Sequence, residues 1–135
     1  MTNITSETKR VEYTAEKVFQ FITDFNNFES LLPQDKVENF KADGDTCSFR
    51  IKGMTDLGLK IVDAQKHTRI DMVSNGKVPF PFKMNVLIDS PDVNSSDVRI
   101  EFEGDINPFM KMMVEKPLTN FFNMLVDRLT QLELD

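Results

Sequence analysis

From Cys47 to Phe102 apolar and polar residues alternate in short runs separated by turn signals. Cys47, Phe49 and Ile51 alternate with Ser48, Arg50 and Lys52; Leu57, Leu59 and Ile61 with Gly58 and Lys60; Thr68, Ile70 and Met72 with Arg69 and Asp71. Further on, Phe82, Met84, Val86 and Ile88 alternate with Lys83, Asn85 and Asp89, although Leu87 spoils the polar side. Val98, Ile100 and Phe102 alternate with Arg99, Glu101 and Glu103. Period two marks a strand with one packed face and one wet face, and clean alternation implies antiparallel neighbours. Val37 to Lys41 adds one more strand, Asp43-Gly44-Asp45 and Asn75-Gly76 are turn signals, and Ser90 to Ser96 reads as a loop.

The period changes at both ends of this block. Ile4 to Val11 is a first, more polar strand. Thr14 suits the N-cap of a helix from Ala15 to about Phe25, with Tyr13 and Val18 placed as a hydrophobic staple and Val18, Phe19, Ile22 and Phe25 on one face. Asn26-Asn27 breaks that helix, and Phe28 to Leu32 suggests a second short one, stopped by Pro33. At the other end, Asn107-Pro108 opens a helix expected to run to the end of the chain. On a wheel of about 100° per residue, Met110, Val114, Pro117, Leu118, Phe121, Met124, Leu125 and Leu132 form one apolar arc, with Met113, Phe122 and Leu129 on its edges. The arc is wider than the roughly 100° stripe of a helix on a flat surface, so it fits a groove. Two residues in it depart from plain packing. Pro117 is either a tolerated kink or a hinge at a cavity mouth. Arg128 either snorkels to solvent, pairs with a carboxylate of the sheet or first helix, or grips a ligand's acid or carbonyl.

The order is strand, helix, short helix, six strands, long helix: an α+β chain. The segment Val11-Glu12-Tyr13-Thr14-Ala15-Glu16-Lys17-Val18-Phe19-Gln20-Phe21-Ile22-Thr23-Asp24-Phe25 and the closing helix resemble the START/SRPBCC helix-grip superfamily. The resemblance covers nearly the whole chain. It implies a single helix-grip domain over residues 1–135: a curved antiparallel sheet of about seven strands wrapped around a long C-terminal helix, with two short helices after the first strand. It also implies a cavity between helix and sheet. The residues expected to line it are Phe49, Ile51, Leu59, Ile61, Met72, Phe82, Met84, Val86, Ile100 and Phe102 from the sheet, and Met113, Pro117, Phe121, Met124 and Arg128 from the helix.

Composition sharpens this reading. Twelve Phe and eight Met stand against no Trp and one Tyr, apolar groups that fill irregular space without needing a hydrogen bond. A net charge of −6 and a pI of about 4.8 argue against a nucleic-acid partner. The single Cys47 excludes an intrachain disulfide and fits a reducing compartment. The N-terminus lacks a secretory pattern and no apolar run reaches transmembrane length, so a cytoplasmic protein without integral membrane association is expected.

One His and one Cys make no zinc set, five scattered Gly make no phosphate loop, and His67 sits at a turn where solvation is the default. No catalytic residue, metal or cofactor is expected. Cyclase-type relatives steer substrates with polar cavity residues such as Arg, Tyr, His or Trp, and this chain departs from that pattern. The expected function is therefore non-enzymatic binding or transport of a hydrophobic or amphipathic small molecule (lipid, quinone or polyketide-like). Ser6 and Thr8 are further candidates for fixing its polar end. Two alternatives stay open. One is a polyketide cyclase/dehydrase-like enzyme, which needs at least two polar side chains converging in the cavity. The other is a protein-interaction module of the chaperone- or ribosome-associated kind, with a protein partner, a collapsed cavity and an exposed patch around Phe80 and Phe109 to Met112.

Overall fold

The computed structural model describes residues 1–76 and 78–133. The chain opens with β1 (Thr2–Thr5) and β2 (Lys9–Val11), followed by α1 (Ala15–Thr23), α2 (Phe25–Phe28) and a 3-10 turn (Glu29–Leu31). Then come β3 (Val37–Asp43), β4 (Thr46–Ile51), β5 (Thr55–Gln65), β6 (Arg69–Ser74), β7 (Phe82–Asp92) and β8 (Ser95–Gly104), and the chain closes with α3 (Pro108–Leu129). All strand pairs are antiparallel, in the order β1-β8-β7-β6-β5-β4-β3, with β2 also on β8. This is the helix-grip fold: a curved sheet with a long C-terminal helix packed across it. Register shifts in β3, β5 and β7 mark bulges, which bend and twist a sheet locally.

Four local expectations are corrected. The expected single first strand is broken in two, because the buried Ser6 turns its side chain into the ladder: Ser6 Oγ accepts from Ile100 N at 2.8 Å and donates to Glu7 O. The first helix ends at Thr23 rather than Phe25, since the Asp24 carboxylate accepts from Asn26 N at 3.0 Å and starts a new helix that contains Asn26 and Asn27. The segment Ser90 to Ser96 is the tip of a hairpin. There Asp92 accepts from Asn94 N at 2.8 Å and Ser95 Oγ at 3.0 Å, closing a tight turn. Those two bonds also hold the Asp92 carboxyl below its ordinary pKa. Finally, α3 stops at Leu129 with Thr130 as its C-cap; Leu134 and Asp135 lie outside the described residues.

Helix starts follow local chemistry. Thr14 Oγ1 accepts from Lys17 N at 3.2 Å and Asn107 Oδ1 from Met110 N at 2.8 Å, with Pro108 supplying a fixed φ at the first helical position. On the concave face, neighbouring phenylalanine rings form one continuous path. It runs from Phe40 to Phe49, to Phe121 and Phe122 of α3, then to Phe102, Phe82 and Phe80, with centroids 5.1–6.4 Å apart. These are favourable ring–ring separations.

One glycine is required by a close backbone approach in the sheet. Asn75 N donates to Gly58 O, and the Asn75 carbonyl oxygen lies 2.0 Å from where a Gly58 Cβ would sit. No side chain fits there. Gly44, at φ +62° with open space around it, offers a contrast in which only backbone strain opposes a side chain. Gly58→Ala is expected to lower unfolding free energy by about 3 kcal/mol, at the upper end of overpacking costs, and Gly44→Ala by about 1 kcal/mol. Urea unfolding of the two variants beside the parent measures both. Equal losses would contradict the assigned role of Gly58.

Candidate functional site

The residues expected to line a cavity come together only in part. A small void of about 10 Å3 lies between α3 and the sheet. Phe49, Leu59, Phe82, Met84 and Phe102 of the sheet and Phe121 of α3 line it. Phe28, Leu57, Phe122 and Leu125 complete the wall, and sequence reasoning had placed none of them there. Ile51, Met72, Val86 and Ile100 are buried but sit in the core away from the void, while Ile61, Met124 and Arg128 are half-buried. Met113 is 63% exposed and Pro117 is exposed, so neither belongs to the interior.

The misplacements on α3 share one cause. Its buried residues are Val114, Leu118, Phe121, Phe122, Leu125, Val126 and Leu129. At 100° per residue the centre of this face is rotated by about 60° from the arc drawn from sequence. Counting Met113, Pro117 and Met124 toward the face pulled the arc the wrong way, because Met113 and Pro117 are exposed and Met124 is only half-buried. Phe122 and Val126, at 1% and 0% exposure, are central to the contact. A wheel weighted toward the middle and C-terminal half of the helix would have found them.

The rotation also explains Arg128, which lies at the rim of the buried face. The expected carboxylate partner is not found among the described residues. Its Nη2 donates to the Ser30 carbonyl at 2.9 Å, tying α3 to the 3-10 turn, while its Nε is buried with no partner. A buried unsatisfied donor costs about 1–3 kcal/mol. Ser6 is committed to the β8 ladder and Thr8 is exposed, so neither is free in the interior.

Nothing polar lines the void. A space of this size is at the lower limit for one water and offers it no hydrogen bond. Cys47 is buried on β4, and burial pushes its thiol up from 9.0 to about 12, which leaves it protonated and unreactive. His67 stands in the β5–β6 turn at φ 66°, with its ring edge-on to Phe19 at 5.6 Å, away from the void. Among the described residues no group of three or more His, Cys, Asp or Glu could hold a metal. Among the described residues no helix is long and apolar enough to cross a membrane. An open groove of about 670 Å3 lies along β3, β4 and β5 beside the Asn75-Gly76 turn. Its Arg50 is shared between Glu38 and Asp56 at 3.6 and 3.4 Å.

The surface has one marked apolar feature. Phe109, Met112 and Met113 are 75%, 87% and 63% exposed and lie on one side of the first turns of α3. Phe80, expected in the same patch, is instead buried against Phe82 and Phe102.

The sequence matches no family model and no curated protein. The fold does have solved counterparts. A START superfamily protein from Mycobacterium smegmatis is similar with a TM-score of 0.68 and 14% identity, over 97% of this chain and 99% of that one. A norcoclaurine synthase point mutant from Thalictrum flavum, solved with a transition-state analogue, gives 0.74 and 13%, over 96% and 92%. The protein XoxI from Bacillus cereus gives 0.74 and 14%, over 97% and 94%. At these identities the likeness is one of fold.

The state of Cys47 is open to measurement. In native protein at pH 8 a thiol reagent is expected to leave Cys47 unmodified, and to modify it fully once the chain is unfolded. Between pH 9 and 12 the unfolded thiol has lost a proton that the folded one keeps, so stability falls as pH rises, by at most about 1.4 kcal/mol per pH unit from this group. A Cys47→Ala variant should lack that part of the alkaline slope. Rapid native modification would contradict the assignment.

Proposed function

We propose that the chain binds a hydrophobic or amphipathic small molecule, of lipid, quinone or polyketide-like character, between α3 and the sheet, and that it does so as a binder rather than a catalyst. The observation that carries this is the composition of the wall: ten residues, all hydrocarbon or thioether, facing one void from both sides of the seam. Apolar lining is what small-molecule sites are chiefly made of. Chemistry would need an acid, base, nucleophile or metal at the reacting atom, and the cyclase alternative would need two polar groups converging there; the wall supplies neither. The named START protein among the structural neighbours agrees with a binding fold.

The void is far smaller than the roughly 300–1,000 Å3 of ordinary ligand sites, so a ligand must displace part of the wall. α3 is the part that can move without breaking a strand ladder. It is tied to the rest by side-chain packing, by Asn123 Oδ1 accepting from Glu7 N, by Arg128 on Ser30, and by the exposed Lys9–Asp127 pair. The one thioether of the wall, Met84, is the side chain that adapts its shape most readily to a guest. A second reading, a protein-interaction module, is favoured by the small void together with the exposed stripe of Phe109, Met112 and Met113.

One experiment separates the two. Protein stripped with organic solvent and refolded is expected to take up one equivalent of an apolar fluorophore, and native mass spectrometry of the untreated protein to show an extractable adduct. The double variant Phe109→Glu, Met112→Glu should bind the fluorophore unchanged. Loss of uptake in that variant would put the probe on the exposed stripe and favour the second reading. No uptake by the parent would end the seam reading.

A further inference from the structure

Arg128 holds a place that core packing does not account for. It follows Leu125, a wall residue, by one helical turn, and its one bond goes to Ser30, two residues beyond Phe28, another wall residue. Arg128 does not itself line the void; it stands one turn on from its wall, where α3 meets the 3-10 turn. Arg has five N–H donors, and here the Nε donor is shut off from solvent without a partner. No carboxylate among the described residues lies within ion-pair distance of Arg128. A positive group with an unused donor, beside an otherwise apolar space, is half of a charge-assisted hydrogen bond.

We propose that Arg128 receives the head of the ligand, and that the ligand is an amphiphile ending in an anionic oxygen, its apolar chain in the seam and its charged end on the Arg128 Nε. This rests on the seam-binding reading above and narrows it. The chain's net charge of −6 gives no general attraction for anions, so a preference for an acid head over a neutral one traces to this side chain. Carboxylate and phosphate share the recognising chemistry, since both offer an oxygen to the guanidinium.

The test compares four twelve-carbon probes below their micellar concentrations: dodecanoic acid, methyl dodecanoate, dodecanol and dodecyl phosphate. Each displaces the apolar fluorophore from stripped protein at neutral pH. The acid is expected to bind at least about tenfold more tightly than the ester and alcohol, as a charge-assisted bond provides. In Arg128→Met, which keeps the length and apolar stem, that preference should shrink to about twofold or less with alcohol affinity retained. A dodecyl phosphate tighter than the acid keeps the anionic-head assignment and names phosphate as its source. If the neutral probes bind the parent as tightly as the acid, this inference fails while the seam reading stands. If none of the four binds, the seam reading fails and takes this inference with it. Retention of the acid preference in Arg128→Met overturns the role of Arg128, and if that variant does not fold, the series on the parent protein decides.

Discussion

The contact between the Phe121–Phe122 pair of α3 and the rings of the sheet holds the two halves of the molecule to one another. Phe121 meets Phe49 on one side and Phe122 meets Phe102 on the other, at 5.9 and 5.3 Å. Phe49 belongs to β4, near one end of the strand order, and Phe102 to β8, near the other. A sheet that turns its two ends toward each other must have something between them, and two adjacent large rings on one helix meet both. The bulges in β3, β5 and β7 bend the strands, and the rings fill what the curvature encloses. Both features are needed, since a flatter sheet would leave α3 lying on a plane with Phe121 and Phe122 unable to face opposite walls.

The same contact determines what the interior can do. Ring against ring leaves almost no free space and no polar surface, so any guest competes with packing already made. Binding would exchange protein–protein apolar contact for protein–ligand apolar contact, and the net gain comes from how much of the guest leaves water. That exchange suits a long flexible guest with much surface to bury. It suits a small polar substrate poorly. Among the described residues, the buried Arg128 Nε is a side-chain donor whose demand is unmet.

Strand alternation was legible because each strand has one wet face, so period two is written in charges as well as in hydrocarbon. The helix caps Thr14 and Asn107 were legible because their chemistry is local. What escaped depends on three-dimensional reach. Ser6 looks like any strand serine until its hydroxyl replaces a ladder partner from β8. Asp92 looks like a loop residue until its carboxylate closes a two-residue turn. The orientation of α3 escaped because apolar spacing gives a stripe but not which part of it is covered; Met113 and Pro117 read as members of a face that leaves both exposed. The near-absence of free volume escaped for a related reason, since periodicity shows which residues face inward and not how completely their side chains fill the space.

The bulge in β3 has a consequence of another kind. β3 is the last strand of the sheet, and its outer row of amide and carbonyl groups has no partner strand. An open edge of that sort is a template on which a passing chain can add itself. Here the row is interrupted between Glu38 and Lys41, where Asn39 takes a φ of 58° and breaks the regular pleat. Charged side chains stand on either side of the break. A second strand could match β3 for only two or three residues before losing step, which makes this edge a poor template for an added strand.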